Sequence, residues 1–395
     1  MLEQVKLWGV KDPNISSQLI LAKQLGYFEQ EGLNVSYRLL QSGTIMPREI
    51  LRASIKPLAW TQTVITTLIL REHNLDVKII APLADISSTQ QVILRKGSGI
   101  NSPESLAEKK IGMAEGAAIY IALQNMAKDY HIDLSAVEFV NLLPQEQLQA
   151  FKQRKIDALA CWEPWTSRAL KEGGSFYFSG AHSNIPGHEG PVNWLIDQSM
   201  LMTTAEQIET HSDILCAVIR AMSKATQFIA EDIKEAARLL TEPLAVGYFE
   251  ARNMLEHNRY TMRMDSMFRL GLFSVRELLF QSKVISRFPD EHELYTTELL
   301  ATIDPQLIKI ETSRQQQIQV TQTDNIYIRE GANIVKPDHG PLSFLLVDDS
   351  SVIRRILRSV VTALDGELRG EATTGREAIV EYQKLSPDIV MMDLS

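Results

Sequence analysis

Cysteine is scarce in this chain, and long apolar runs and basic clusters are missing. The only two cysteines, Cys161 and Cys216, lie far apart and outside any metal-ligand spacing. We expect both to be reduced residues of the core. No run of about eighteen apolar residues occurs, so no transmembrane helix is predicted. The formal net charge of −9, without a basic run, predicts that the protein does not bind nucleic acid.

The composition and the first residues are those of an ordinary globular protein. Apolar residues make up 45% and charged residues 23% of the 395 positions, which is typical of soluble domains. A chain of this length predicts roughly two or three domains. Residues 1–10 lead directly into an apolar strand pattern, without the basic segment and apolar core of a secretory signal. We therefore expect a cytoplasmic protein.

Residues 1–312 alternate short apolar segments with amphipathic segments, which is the pattern of an α/β domain. Strands are predicted first, and long helices dominate from residue 205 onward. These helices are expected at residues 205–210, 212–230, 232–242, 248–263 and 267–281. Two stretches, 49–60 and 148–162, share the order helix, basic turn, strand, tryptophan, which indicates two similarly built lobes.

The last segment, residues 342–395, has the predicted order strand, helix, strand, helix, strand. Its first strand ends in Asp348 and Asp349, and its last strand ends in Asp393. Ligands of open α/β sheets bind at the carboxyl ends of the strands, so these three carboxylates are expected to lie together. Such a cluster requires a counter-charge, and Mg²⁺ suits carboxylate and phosphate oxygens. The alternative is two buried strands followed by helix-capping aspartates.

The segments 344–350 (FLLVDDS) and 389–393 (IVMMD) resemble the receiver domain of bacterial response regulators. The resemblance implies a partial flavodoxin-like (CheY-like) fold and a histidine kinase as partner. It also implies that Asp348, Asp349 and Asp393 bind Mg²⁺ and that Asp393 is the phosphoacceptor. Only the first half of a receiver is matched, without the later Ser or Thr and Lys of that family. We therefore expect weak Mg²⁺ binding and no stable acyl phosphate.

The N-terminal region resembles a second family in the segments 21–35 (LAKQLGYFEQEGLNV), 98–112 (SGINSPESLAEKKIG) and 155–165 (KIDALACWEPW). They are similar to the substrate-binding proteins for nitrate, sulfonates, taurine and thiamine-pyrimidine precursors. The resemblance implies a two-lobed, periplasmic-binding-protein-like α/β domain that closes on a ligand. In the first lobe, residues 56–59 (KPLA) replace the Gly-x-Val/Ile-Asp of that family, so the contacts there follow it less closely.

These patterns predict three segments. Residues 1–312 form the substrate-binding-protein-like domain, with crossovers between its lobes near residues 85–92 and 190–203. Residues 313–341 are a polar linker, and residues 342–395 are the N-terminal half of a receiver.

Ligand-binding residues are expected at strand ends and helix N-termini, where backbone N–H groups are available. Carried over from the family residue by residue, the candidates are Asn14, Ser16, Ser17, Trp60, Thr61, Gln62, Ser88, Thr89, Gln90, Glu115, Gly116, Ala117, Trp162, Glu163 and Trp165. Several have a purely structural alternative. Ser16 or Ser17 would cap the first helix, residues 87–89 would form a turn, and Trp162 and Trp165 would be core aromatics.

Glu163 is the strongest of these candidates, because it lies between two tryptophans at a strand end. A carboxylate with flanking aromatic rings suits a small polar or aromatic solute that carries amino donors, such as an aminopyrimidine. The same pair suits nitrate or a sulfonate only if Glu163 points away from the ligand.

Three functions follow from these resemblances. The first is a cytoplasmic small-solute-binding sensor coupled to a two-component receiver in a phosphorelay. The second is the solute-binding component of an ABC transporter for nitrate, sulfonate or pyrimidine uptake. The third is an enzyme similar to fungal thiamine-pyrimidine synthases, which use a cysteine-rich iron motif. Because only two isolated cysteines occur, we predict a binding protein and no enzyme.

Overall fold

The computed structural model describes residues 2–310, 320–323, 326–329 and 340–392. The chain divides into two compact units, Met1–Glu311 and Thr312–Ser395. Within the described part of the chain, no helix combines the length and the apolar character that a membrane span requires.

The N-terminal unit alternates strands and helices. Its strands are β1 (Glu3–Val10), β2 (Leu33–Leu40), β3 (Ala59–Thr63), β4 (Val77–Asp85), β5 (Gln90–Leu94), β6 (Lys110–Met113), β7 (Glu138–Asn141), β8 (Ala158–Trp162), β9 (Ser175–Ser179), β10 (His182–Ile185), β11 (His188–Pro191), β12 (Gln198–Thr204) and β13 (Arg259–Tyr260). Its helices are α1 (Pro13–Gln24), α2 (Tyr27–Gln30), α3 (Met46–Arg52), α4 (Val64–Glu72), α5 (Ile119–Asp129), α6 (Pro144–Lys152), α7 (Trp165–Lys171), α8 (Ala205–Glu231), α9 (Ile233–Leu244), α10 (Tyr248–His257), α11 (Ser266–Gln281), α12 (Glu291–Leu294) and α13 (Glu298–Ile303). Short 3-10 helices cover Gly43–Ile45, Ser87–Thr89, Pro103–Leu106, Leu134–Ala136 and Pro305–Leu307.

Two separate sheets form the two lobes of this unit. The first has the strand order β13-β4-β12-β3-β1-β2, and the second has the order β11-β10-β9-β5-β8-β6-β7. The chain leaves the first sheet after β4, through the 3-10 helix Ser87–Thr89, and returns to it at β12. The predicted two-lobed α/β fold is confirmed, and both sheets mix parallel and antiparallel pairs.

The first helix begins earlier than the sequence pattern predicted. Asp12 is its N-cap, because the Asp12 side chain accepts a hydrogen bond from the backbone N–H of Asn14 at 2.9 Å. Ser16 and Ser17 lie inside the helix, where the Ser17 hydroxyl donates to the carbonyl oxygen of Pro13 at 2.5 Å. The prediction that Ser16 or Ser17 caps this helix is therefore wrong.

The helical region after β12 agrees with its pattern in one detail and departs from it in another. Helix α8 is interrupted at His211, whose backbone is non-helical at φ −137° and ψ 31°, and the predicted break at residue 211 is confirmed. Helix α10 ends at His257 and not at residue 263. The chain turns there because Arg259 and Tyr260 pair with β4 as β13.

In the C-terminal unit, a hairpin of β14 (Val320–Thr323) and β15 (Ile326–Arg329) precedes β16 (Ser343–Val347), α14 (Ser351–Ala363), β17 (Glu367–Ala372), α15 (Gly375–Leu385) and β18 (Ile389–Met392). The last three strands form a parallel sheet in the order β17-β16-β18. The predicted order of strands and helices is confirmed. The central strand β16 is buried along its length, while β18 is only partly buried.

Candidate functional site

A cavity of about 320 Å³ lies in the N-terminal unit and is lined by residues from both sheets. This volume lies within the range of small-molecule pockets. The lining residues are Val10, Asp12, Asn14, Ile15, Gly43, Thr44, Pro47, Gln62, Thr63, Ile65, Thr66, Ile69, Ile86, Gln90, Glu115, Gly116, Ala117, Ala118, Trp162, Asp197, Leu279 and Val284. Aliphatic side chains and amide or hydroxyl groups make up most of this surface, and its charged groups are carboxylates.

Seven of the fifteen sequence candidates line this cavity: Asn14, Gln62, Gln90, Glu115, Gly116, Ala117 and Trp162. The other eight do not line it: Ser16, Ser17, Trp60, Thr61, Ser88, Thr89, Glu163 and Trp165. For all fifteen residues the ligand-binding role stays a prediction. The contacts of each residue show why it does or does not reach the cavity.

Asp12 and Asn14 form the part of the cavity wall that follows β1. One oxygen of the buried Asp12 carboxylate accepts hydrogen bonds from the backbone N–H and from the side-chain amide of Asn14, both at 2.9 Å. Burial raises the pKa of the Asp12 carboxyl to about 7, the Asn14 hydrogen bonds lower it, and the nearby Glu163 carboxylate raises it further. Asp12 was not among the sequence candidates, although its place directly after a strand was a usable signal.

The side chain of Asn14 connects elements of the two lobes. Its amide nitrogen also lies 3.3 Å from the carbonyl oxygen of Glu163, and its amide oxygen accepts from the side chain of Asn258 at 2.8 Å. The oxygen of the Asn258 side chain in turn lies 3.3 Å from the Thr89 hydroxyl. Both polar atoms of Asn14 are therefore engaged with the protein, so this residue holds the lobes together beside the cavity.

Glu163 is buried and does not line the cavity. The carboxylate accepts hydrogen bonds from the backbone N–H of Ser167 at 3.0 Å, from the Ser167 hydroxyl at 2.8 Å and from the Asn253 amide at 3.3 Å. Ser167 lies in the first turn of α7, so these bonds satisfy a backbone donor that the helix leaves free. The structure does not support the expectation that Glu163 contacts the ligand.

Ser16 and Thr61 are fully buried next to Gly9. The Ser16 hydroxyl accepts from the backbone N–H of Val10 at 2.9 Å and lies 3.3 Å from the Thr61 hydroxyl. Trp60 is completely buried in the core of the first lobe, and its indole N–H has no hydrogen-bond partner among the described residues. These residues therefore build the lobe beneath the cavity.

Gln62 reaches the cavity because a glycine stands opposite it. A Cβ atom on Gly43 would lie 2.0 Å from the Gln62 side-chain nitrogen, so a larger residue at position 43 would displace this side chain. The Gln62 side-chain oxygen accepts from the backbone N–H of Thr63 at 2.7 Å, which leaves the amide N–H groups as the donors on this wall.

Of the three candidates at the first crossover between the lobes, Gln90 lines the cavity and Ser88 and Thr89 do not. Ser87–Thr89 is a 3-10 helix, so the alternative of a turn is confirmed. The Thr89 hydroxyl donates to the carbonyl oxygen of Ile86 at 2.8 Å, and the Ser88 carbonyl accepts from Gln91 at 3.0 Å. Gln90 begins β5 with its side chain at the cavity.

The loop before α5 forms the rim of the second lobe. Gly116 has a left-handed backbone with φ +73°, a conformation that glycine adopts at little cost. The exposed Glu115 pairs with Asn141, because its backbone N–H donates to the Asn141 oxygen at 3.1 Å and its carboxylate accepts from the Asn141 amide at 3.3 Å. Ala117 and Ala118 continue the lining toward the helix.

The two tryptophans beside Glu163 have different surroundings. Trp162 is the last residue of β8, is half-buried, and lines the cavity. Trp165 begins α7, packs against the smaller core cluster of the second lobe, and lies under the Arg168 guanidinium at 4.9 Å from the ring centre. Only Trp162 can offer an aromatic face to a ligand in this cavity.

Asp197 lies just before β12, where the chain returns to the first lobe, and it was not among the candidates predicted from the sequence. It is 2% exposed and lines the cavity. Neither carboxylate oxygen has a well-formed hydrogen bond among the described residues. Burial raises the pKa of Asp197 to about 7, the Asp85 carboxylate raises it further, and the backbone N–H of Gln198 lowers it. The strand β12 was not predicted, so its first residues had no structural context.

Neither cysteine has the surroundings of a reactive thiol. Cys161 and Cys216 are both free and buried, and burial raises the pKa of each thiol above its ordinary value. A thiol that remains protonated is a poor nucleophile. The expectation that both are core residues is confirmed, and among the described residues no group of three His, Cys, Asp or Glu could hold a metal ion.

In the C-terminal unit, Asp348 and Asp349 follow the central strand β16. Asp348 is buried, and its carboxylate accepts from the backbone N–H of Ser350 at 2.8 Å, while Asp349 is exposed. The Arg354 guanidinium donates to the Asp348 carbonyl oxygen at 2.6 Å. Asp393 lies outside the described residues, so its role as metal ligand and phosphoacceptor stays a prediction.

The two sheets, joined by crossovers and lining one cavity, define the two-lobed fold of solute-binding proteins. The profile of the family described as NMT1/THI5 like matches residues 14–236, which is more than half of the chain. The chain therefore belongs to the NMT1/THI5-like family.

Two similar proteins agree with this assignment. The chain is 25% identical over 232 residues, 57% of its length, to a protein of Bacillus subtilis (strain 168) named putative aliphatic sulfonates-binding protein. That match covers 66% of the relative, just under two thirds. The periplasmic aliphatic sulphonate binding protein SsuA from Escherichia coli superposes with a TM-score of 0.62 at 16% identity, covering 82% of this chain and 99% of that one. At this identity the likeness shows the fold alone.

A further match concerns only the C-terminal segment. Over 51 residues the chain is 47% identical to the chemotaxis protein CheY of Thermotoga maritima. The match covers 13% of this chain and 42% of that relative, so it spans less than half of a receiver and indicates the likeness without establishing the family.

Proposed function

We propose that the N-terminal unit binds a small solute in the cavity between its two sheets and does not transform it. The observation that carries this proposal is the cavity itself, lined by both lobes and largely apolar with a few polar groups. Membership of the NMT1/THI5-like family supports it. The names of the Bacillus subtilis and Escherichia coli proteins make sulfonates the first solutes to test.

The position of Glu163 widens the range of solutes. The sequence favoured an aminopyrimidine because a glutamate lay between two tryptophans. Its carboxylate instead accepts hydrogen bonds from Ser167 and Asn253, so it neither requires an amino group nor repels an anion directly. Sulfonates, nitrate and aminopyrimidines therefore all belong in the test panel.

The binding role is supported over an enzymatic one by the chemistry of the side chains. Both cysteines are buried with raised pKa values, which does not suit the nucleophile or metal ligand of a synthase. The cavity carries carboxylates, amides and hydroxyls but, among the described residues, neither a cysteine nor a histidine lines it.

Calorimetry of the full chain against this panel tests the proposal. A solute that stacks on Trp162 should bind less tightly to Trp162→Ala, by roughly 1–3 kcal/mol as for stacking of a base on an aromatic ring. Trp165→Ala is the matched control, because this tryptophan is near in sequence, half-buried and outside the cavity lining. Loss of binding in Trp162→Ala alone supports the site. Equal losses in the two variants, or no heat with any solute, would refute it.

Two uses of a bound solute remain to be separated. Delivery to an ABC-type permease is favoured by the likeness to a solved structure from Methylobacillus flagellatus that is described as a putative sulfonate ABC transporter, periplasmic sulfonate-binding protein. Signalling to a receiver is favoured by the CheY-like segment. The signalling role includes a cytoplasmic location and a histidine kinase partner. Cell fractionation separates the two, since delivery to an importer requires the protein on the outer face of the membrane and signalling requires it in the cytoplasm.

The receiver-like role also requires Mg²⁺ at the carboxyl end of β16. Titration with Mg²⁺ should give weak binding that Asp349→Asn abolishes, because this exposed carboxylate is free to meet a hydrated ion. Glu367→Gln is the control, since Glu367 is an exposed residue at the start of the neighbouring strand β17. Identical Mg²⁺ binding in Asp349→Asn would contradict the metal site.

A separate experiment tests whether Asp393 accepts a phosphoryl group. The intact mass of the chain is measured after treatment with acetyl phosphate and Mg²⁺, for the wild type and for Asp393→Asn. We expect no stable phosphate adduct, and an adduct that disappears in Asp393→Asn would contradict this.

A further inference from the structure

The charged groups of the cavity all have the same sign. Asp12, Glu115 and Asp197 line it, while none of the described lining residues is Lys, Arg or His. Arg168, the basic residue nearest in sequence to Trp162, is paired with Glu250 at 3.6 Å and lies over the Trp165 ring. The side chains of this cavity therefore offer no positive charge to an anionic solute.

The three carboxylates differ in how far the protein already satisfies them. Asp12 accepts two hydrogen bonds from Asn14, and Glu115 is paired with Asn141 at the exposed rim. Asp197 is 2% exposed, and both of its oxygens lack a well-formed hydrogen bond among the described residues. A buried carboxylate without well-formed hydrogen bonds is costly to keep in a fold, and a ligand that supplies N–H donors and positive charge would remove much of that cost.

We propose that the cavity is selective for a small organic cation, with a protonated primary amine that donates hydrogen bonds to Asp197 and an apolar body that packs on the surrounding aliphatic side chains. This inference rests on the proposed solute-binding function and names the class of solute. Ile65, Ile69 and Leu279 provide the apolar surface. The Trp162 ring adds a face on which an organic cation is favoured.

The competing arrangement is an anion that accepts a hydrogen bond from a protonated Asp197. The two arrangements respond oppositely to Asp197→Asn. The amide keeps the size of the side chain and introduces N–H donors in place of the O–H of a protonated acid, but it carries no negative charge. It should therefore weaken the binding of an ammonium group and maintain or strengthen that of an anion.

Calorimetry of the full chain with three probes of one shape tests this: 2-phenylethylammonium, 2-phenylethanesulfonate and 2-phenylethanol. We expect the ammonium to bind most tightly and Asp197→Asn to weaken its binding on the order of 10- to 100-fold, as for a hydrogen bond to a charged group. The control is Glu235→Gln, which removes one negative charge from an exposed side chain of α9. It should leave the affinity of the ammonium unchanged. If Asp197→Asn does not fold by circular dichroism, Asp197→Ala replaces it.

Each outcome bears on one of the two proposals. Tighter binding of the sulfonate than of the ammonium would overturn this inference and leave the solute-binding function intact. An ammonium affinity that is unchanged in Asp197→Asn would do the same. If none of the three probes binds, the inference is wrong, and the broader solute panel with Trp162→Ala then decides the proposed function by itself.

Discussion

The two lobes of the N-terminal unit use the same residue types in opposite ways. In the first lobe Trp60 is completely buried in the core, and the carboxylates of Asp12 and Asp197 line the cavity. In the second lobe Trp162 lines the cavity, and the carboxylate of Glu163 is turned into the protein. The first lobe thus contributes two buried carboxylates, and the second contributes an aromatic ring and the exposed carboxylate of Glu115.

The position of each tryptophan along its strand explains the difference. Both lie in a helix–strand repeat, α3 to β3 in the first lobe and α6 to β8 in the second. Trp60 is the second residue of β3 and pairs with Met202 of β12 in the interior of the sheet. Trp162 is the last residue of β8, at the carboxyl end where ligands of α/β sheets bind. The repeated pattern predicts a tryptophan in each lobe. The position of that tryptophan along its strand decides whether it packs in the core or lines the cavity.

The largest expected effect is on stability and separates the two tryptophans. Trp60→Ala should lower the free energy of unfolding by roughly 3–5 kcal/mol, because it opens a cavity in a packed core. Trp162→Ala should cost less, because Trp162 is only partly buried and lines the cavity. Urea denaturation followed by far-UV circular dichroism measures both. Trp60→Phe is the control and should cost much less than alanine, since it keeps most of the ring and removes an indole N–H without a described partner. A larger loss for Trp162→Ala would reverse the comparison.

The second effect is a pH dependence that arises from the carboxylates of the first lobe. The folded protein raises the pKa of Asp12 and Asp197 from 3.8 to about 7. Between these values the folded state keeps protons that the unfolded chain has lost, so the free energy of unfolding falls as the pH rises. The loss is on the order of a few kcal/mol for each carboxyl. All five tryptophans lie in the N-terminal unit, so their fluorescence reports its unfolding alone.

The variants Asp12→Asn and Asp197→Asn identify the source of this pH dependence. Each should reduce the fall in stability between about pH 4 and pH 7, and the double variant should remove most of it. At neutral pH Asp197→Asn should also be more stable than the wild type, because it replaces a buried carboxylate that lacks well-formed hydrogen bonds among the described residues. A double variant with the pH profile of the wild type would show that other groups are responsible.

Much of the fold was predictable because it depends on local patterns. The amphipathic period of α8 and its break at His211, and the last five elements of the C-terminal unit from β16 to β18, follow from apolar spacing and strand ends. The strands β9 to β12 were not predicted. Segments such as 182–185 (HSNI) and 188–191 (HEGP) are short and polar, and they become strands through pairing with neighbours.

The site was predictable only where sequence position and exposure agree. Gln62, Gln90 and Trp162 lie at or next to strand ends and do line the cavity. Glu163 is equally well placed in sequence, but the direction of its carboxylate depends on Ser167 and on the distant Asn253. Asp197 escaped prediction because its setting is created by the return of the chain to the first sheet. The direction of a side chain and the long-range pairing of strands therefore could not be predicted from the sequence pattern.

A third, smaller effect concerns the contact between the lobes. Asn14→Ala should lower the free energy of unfolding by roughly 1–3 kcal/mol, because it removes the bond to the Glu163 carbonyl oxygen of the second lobe and leaves the buried Asn258 amide without its 2.8 Å partner. Asn184→Ala, at an exposed position of strand β10, is the control and should change little. If both variants unfold at the same urea concentration as the wild type, Asn14 does not hold the lobes together.

The smallest effect should come from Glu163, and it tests whether the acid of the second lobe is structural. Glu163→Ala removes the acceptor for the backbone N–H of Ser167 in the first turn of α7, and losing such a cap costs about 0.5–2 kcal/mol. It also removes a charge that raises the pKa of Asp12, so this pKa should fall. Urea denaturation measures the first effect, and affinity for the solutes that bind wild type should change less than in Trp162→Ala. A selective loss of binding with unchanged stability would instead place Glu163 at the ligand, as the sequence first indicated.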